Sequence, residues 1–96
     1  MHERAVDIQF GHAPLIVSGH VTVPDGADVC VENVPVKVQR MTDGRYSTLE
    51  ETTTNETGRY VVELKDRPGR YRAVAPKVER DGAVCVKTSA ADRHIH

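Results

Sequence analysis

Five histidines, His2, His12, His20, His94 and His96, are the side chains of this 96-residue chain best suited to acid–base work or metal ligation. His94 and His96 stand two apart, so on a strand their imidazoles share one face, and His20 on an earlier strand could add a third nitrogen. Alternate-residue histidine pairs are common by chance, and no carboxylate is spaced to orient these rings. The expectation is therefore no bound metal and no cofactor, with His20, His94 and His96 the only weak candidates. The serines Ser18, Ser47 and Ser89 lack the sharp-turn context that makes a nucleophile. Arg67, Arg70 and Arg72 around Tyr71 resemble an anion-binding pattern, yet alternating arginine on a strand is also how exposed edges resist aggregation. Asn55-Glu56-Thr57 fits a glycosylation sequon, but Asn55 is better explained by the turn it opens. Tyr60 and Tyr71 fall on the apolar parity, which leaves Tyr46 as the ready platform for a sugar ring. No catalytic set emerges, and the chain is not expected to be an enzyme.

Cys30 and Cys85 belong to no CxxC or Cys/His spacing, so they are either two buried thiols or a disulfide. The disulfide is preferred on composition. A small domain whose aromatics are only Phe10, Tyr46, Tyr60 and Tyr71 gains from a covalent staple, and closing so long a loop is worth roughly 4 kcal/mol in lost chain entropy. Cys85 stands on the parity opposite Val84 and Val86, and Cys30 belongs to an irregular segment, 27–33, that would otherwise hang over a sheet edge.

Composition narrows the class further. The 13 basic and 14 acidic residues nearly cancel and are interspersed, which predicts no nucleic-acid partner. No apolar run approaches the roughly 20 residues of a membrane-spanning helix. The start MHERAVDIQF lacks the apolar stretch of a signal peptide, which suits a cytosolic protein or a mature fragment. Valine and threonine dominate and Trp is absent, a balance for pleated strands.

The elements that must position these residues read as strands throughout. Residues 52–75, TTTNETGRYVVELKDRPGRYRAVA, predict two strands flanked by turns, with Asn55 and Gly58 forming the first turn and Pro68 and Gly69 the second. Tyr60, Val62 and Leu64 alternate with charged residues, as do Tyr71 and Ala73, and the short connection predicts an antiparallel hairpin. Upstream, the apolar parity runs through Val17, Gly19 and Val21, and strands follow at Val34–Gln39 and Arg45–Thr53, the latter polar apart from Leu49. Later strands are expected around Val84–Val86 and in the DRHIH ending. Residues 1–14 read as an N-terminal extension holding a candidate strand, and 15–96 as one domain. The whole predicts an all-β, seven-stranded antiparallel two-sheet sandwich with Val17, Val21, Val36, Val38, Leu49, Tyr60, Val62, Leu64, Tyr71 and Ala73 in its core.

The set VSGHVTV, VPVKVQR, TTTNETGRYVVEL and RPGRYRAVAP resembles the bacterial immunoglobulin-like and prealbumin-like domains, nearest to the carboxypeptidase regulatory-like and collagen-adhesin B-type families. The resemblance rests on Gly19 and Val21, on Pro35, Val36 and Val38, on Thr54, Asn55, Gly58 and Tyr60, and on Pro68, Gly69 and Tyr71, across about residues 15–90. It implies a non-catalytic structural or interaction module of a secreted or cell-surface protein, of the kind actinobacteria export, with a protein partner or self-assembly. Collagen-adhesin domains often carry a Lys–Asn isopeptide bond. Here Lys37 sits on the outward parity and no Asn follows position 55, so the two cysteines look like the substitute. GHVTV, VKVQR and DRHIH also faintly resemble transthyretin-related hydroxyisourate hydrolases, which implies His20, Arg40 and His94 or His96 as an alternative catalytic set. That family's Y-R-G-S tail is missing.

Overall fold

Alternation of apolar and polar residues should give strands that each bury one face, and the computed structural model, which describes residues 2–11, 15–24, 26, 28–65, 67–80 and 82–94, is all-β. Its strands are β1 (Ala5–Val6), β2 (Gln9–Gly11), β3 (Leu15–Thr22), β4 (Pro35–Thr42), β5 (Arg45–Thr53), β6 (Arg59–Leu64), β7 (Gly69–Ala75), β8 (Val78–Arg80), β9 (Ala83–Cys85) and β10 (Thr88–His94). One 3-10 turn, Asp28–Cys30, precedes β4. In the first sheet β3 is central, with β6 along one side from Leu15↔Leu64 to His20↔Arg59 and with β1 and then β2 along the other. The second sheet runs β10-β7-β4-β5, and every pairing within both sheets is antiparallel. A separate β8–β9 hairpin is joined by His2, which bridges to Cys85.

The inward faces of the two sheets meet in one buried cluster. Leu15, Val17 and Val21 of β3 and Tyr60 and Val62 of β6 lie opposite Val36 and Val38 of β4 and Tyr71, Ala73 and Ala75 of β7. Each fully buried valine or leucine contributes about 1.5–3 kcal/mol by leaving water, so this alternating set fixes which face of every strand turns inward.

Ten strands among the described residues replace the seven expected, because the N-terminal segment supplies two and residues 78–80 a further one. The N-terminal line is split for a local reason. At Asp7 the side chain intervenes, with Oδ1 accepting the His20 N–H at 2.7 Å while the Asp7 N–H reaches His20 O at 3.1 Å. A Cβ on Gly19 would collide with the Asp7 carbonyl, so only glycine lets this close crossing form.

The segment 59–75 is not a hairpin. β6 and β7 belong to different sheets, so the chain crosses from one to the other between Leu64 and Gly69. Side by side, Tyr60 and Val62 would leave the same apolar face uncovered as Tyr71 and Ala73. Across the sandwich each strand covers the other. The corner is held by the Tyr71 hydroxyl, which donates to Arg67 O at 2.7 Å. Leu49 also departs from expectation. Gln39 pairs with Thr48 but Val38 with Glu50, so Leu49 is the extra residue of a bulge and stands 45% exposed rather than in the core. Leu64, at the end of β6, is half-buried. The last strand begins earlier than the DRHIH ending suggested, pairing with β7 from Thr88↔Ala75 onward.

The turn before β6 shows what its residues are for. Asn55 Oδ1 accepts hydrogen bonds from the Thr57 N–H at 2.9 Å, the Thr57 hydroxyl at 2.8 Å and the Arg59 N–H at 3.0 Å. Gly58 takes φ +82°, and its carbonyl accepts the Val21 N–H at 2.8 Å. A Cβ there would strike the Val21 carbonyl. Gly58→Ala is therefore expected to destabilise the fold by about 2 kcal/mol or more, read as a lower urea midpoint at unchanged slope, and a loss below about 0.5 kcal/mol would contradict this geometry.

Candidate functional site

The histidines do not gather. His20 projects from β3 into solvent beside Arg59, at the far end from the 65–68 corner. His94 is 2% exposed at the end of β10, its ring 5.4 Å from that of Phe10 and 6.4 Å from that of Tyr71. His12 and His96 lie outside the described residues. Among the described residues no three His, Cys, Asp or Glu side chains converge as a metal site would require. Of the hydrolase-like set, Arg40 and His94 share the second sheet's inward face at the corner, whereas His20 belongs to the other sheet. Lys37 points outward, 3.9 Å from Glu51. The arginines divide as well. Arg72 lies 4.0 Å over the Tyr46 ring and donates to Gln39 Oε1 at 2.6 Å, covering the aromatic face a sugar would need.

The most heavily engaged polar groups are ones that sequence reasoning missed. Arg4, in the N-terminal extension, is 8% exposed. Its guanidinium donates to Val86 O at 3.0 Å, Cys30 O at 3.1 Å, Ala75 O at 3.3 Å and Pro76 O at 2.6 Å. Burial pulls its pKa below the ordinary arginine value. Cys30 and Cys85 form the disulfide, Cα to Cα 5.5 Å, beside it. Arg80 clamps the same loop through Glu32 O at 2.7 Å and Asn33 O. Thr54 closes it from the other side: its hydroxyl accepts the Val34 N–H at 2.9 Å and donates to Val31 O. These groups form a structural hub, since every partner of both arginines is a backbone carbonyl. Nothing in the sequence pattern marks Arg4, because its acceptors come from three separate stretches of chain, at 30, 75–76 and 86.

At the other end of the sandwich, where the chain crosses between the sheets, the two layers part into a groove of about 330 Å³. Leu49 and Leu64 supply apolar surface in front of the buried Tyr71, and Arg40, Lys65 and Arg67 supply three cations, with Thr42 beside them. The bulge in β5 is what places Leu49 here, and the chain crossing is what places Lys65 and Arg67. Arg40 shares the inward side of its cross-strand partner Tyr71, and its guanidinium is anchored by Pro68 O at 2.8 Å and Thr42 Oγ1 at 3.3 Å. Its Nε is buried without a hydrogen-bond partner. Gly69, φ +147°, leaves room for this side chain, since a Cβ there would come within 3.1 Å of Nε. Of the groove's residues, Arg67 and Tyr71 were legible as an anion-binding pattern and Arg40 from the hydrolase-like motif. The alternation pattern places Leu49 and Leu64 in the core instead.

Compared with known proteins, the chain matches no family model, no curated protein and no solved structure.

Arg4→Lys keeps the charge but replaces a planar fork by one ammonium, which can satisfy only some of four carbonyls from four directions. A loss of about 2–4 kcal/mol is expected in denaturant unfolding, with amide protection falling first at residues 2–4 and 28–33, and near-wild-type stability would show the fork to be dispensable. Tyr60 makes a second prediction. Its hydroxyl donates to Asp7 O at 2.6 Å, and burial first and the Asp7 carboxylate second raise its pKa above the ordinary 10.0. The folded state thus requires the neutral phenol. Its contribution is fully present below pH 10.0 and is lost as pH rises through and beyond that value. Unfolding measured from about pH 8 to pH 11 should show stability falling at the alkaline end, and Tyr60→Phe should flatten that fall while costing about 1 kcal/mol at neutral pH.

Proposed function

We propose that this chain is a non-catalytic immunoglobulin-like module of an exported protein, serving a structural or interaction role outside the reducing cytosol. The strand order carries the reading. A line of β1/β2, β3 and β6 faces β10-β7-β4-β5, and this resembles the way immunoglobulin-like sandwiches divide their strands, with β5 joined to the second sheet. The Tyr71 hydroxyl returning to the backbone four residues upstream resembles the tyrosine corner common in such domains and supports the reading. The Cys30–Cys85 disulfide supports an oxidising setting, where such bonds persist. Conserving buried polar groups for loop anchoring, as Arg4, Arg80 and Thr54 do, suits a rigid spacer or display scaffold whose work lies in its surfaces.

Protein recovered from its own cells without reductant is expected to titrate no thiol after denaturation, and cell fractionation should place the full-length product outside the cytosol. Two reactive thiols together with a cytosolic product would overturn the exported reading. Reduction is expected to lower stability by about 2–5 kcal/mol and to loosen residues 28–33 before the sheets. Turnover of a ureide substrate that disappears in His20→Ala would replace the module reading with a hydrolase.

A further inference from the structure

We propose that the groove at the chain crossing binds a small organic carboxylate carrying an apolar body. Three observations meet there. First, in a chain of net charge −1, the groove gathers Arg40, Lys65 and Arg67, and among the described residues none of the three is in an ion pair and no carboxylate lines the groove. Second, Leu49 is one of only two large hydrophobic side chains among the described residues that stand well exposed, and it faces this cavity together with Leu64. Third, Arg40 is held in place before any ligand arrives. Two of its N–H groups are engaged by Pro68 O and Thr42 Oγ1, and its buried Nε has no acceptor, so the cation is fixed, partly stripped of water and under-compensated.

The combination selects among anions. Cations alone would take inorganic phosphate, but a cavity of about 330 Å³ with an apolar side gains from a ligand that fills it, and this size lies at the lower end of the roughly 300–1,000 Å³ of small-molecule sites. A guanidinium suits a carboxylate's planar pair of oxygens, while Lys65 and Arg67 on the mobile-length side chains of the corner attract the charge on approach. An aliphatic or aromatic tail would then lie on Leu49 and Leu64. This goes beyond the module reading and does not depend on where the protein works. Binding and compartment are measured separately, so either can fail without the other.

The test is an NMR titration of the intact chain with hexanoate, with 1-hexanol as the uncharged control and inorganic phosphate as the control without an apolar body. Hexanoate should give saturable shifts confined to amides around Arg40–Thr42, Leu49 and 64–71, with a Kd on the order of 1 mM. Hexanol and phosphate should each bind at least about fivefold more weakly. The Lys65→Ala/Arg67→Ala double variant removes side chains that make no hydrogen bond among the described residues, so it should keep its thermal midpoint and lose about fivefold or more in hexanoate affinity. Leu49→Ser should weaken hexanoate and leave phosphate unchanged. Hexanol or phosphate binding as tightly as hexanoate, shifts scattered over the whole surface, or an unaltered Kd in the double variant would each overturn the proposal.

Discussion

Burying the guanidinium of Arg4 is the constraint around which one end of this molecule is built. An arginine cation taken out of water needs its N–H groups met, and here four carbonyls meet them in place of a carboxylate. Those carbonyls belong to the disulfide loop, to the end of β7 and the proline after it, and to the residue that follows β9. Each must therefore hold its position for the cation to be tolerated at all. The disulfide fixes the loop covalently, Arg80 and Thr54 hold its backbone from two further sides, and His2 binds the terminus to β9 through its N–H to Val84 O at 2.7 Å. A hub assembled in this way is specific, because shifting any one segment leaves a buried donor unmatched.

The core between the sheets solves a different problem. It is made chiefly of valine and alanine, with Tyr60 and Tyr71 as its two large rings. A buried tyrosine brings a hydroxyl that must find a partner, and both send it to a backbone carbonyl at the sandwich margin. Tyr60 reaches Asp7 O and so pins the interrupted N-terminal line against β3. Tyr71 reaches Arg67 O and so pins the crossing between the sheets. The aromatics thus fill volume and fasten the two places where chain geometry is least regular.

The two ends of the molecule consequently have opposite characters. Around Arg4 the buried polar side chains among the described residues, Arg4 and Thr54, are paired with backbone groups. At the crossing, the β5 bulge turns Leu49 out of the core, and Arg40 is anchored while one of its nitrogens goes unmatched. Stability concentrated at one end leaves the other free to depart from ideal packing, and surfaces of that kind are where binding sites are found.

Strand identity was legible in the sequence because alternation with period two has one physical meaning: one face buried, one in water. Val17, Val21, Val36, Val38, Tyr60, Val62, Tyr71 and Ala73 are all buried, and Asn55 and Gly58 make a turn that their side-chain chemistry dictates locally. The composition argument for a disulfide needed no coordinates either. Sequence could not say which strands pair, since parity assigns a face and not a neighbour, and so residues 59–75, which read as a hairpin, are a crossing between sheets. It could not show the bulge that expels Leu49, because the slip arises in the ladder between β4 and β5 and not in either strand alone. Nor could it reveal Arg4 or the burial of His94. Their surroundings are assembled from segments far apart in the chain, and only the tertiary structure brings those carbonyls and rings within reach of a single side chain.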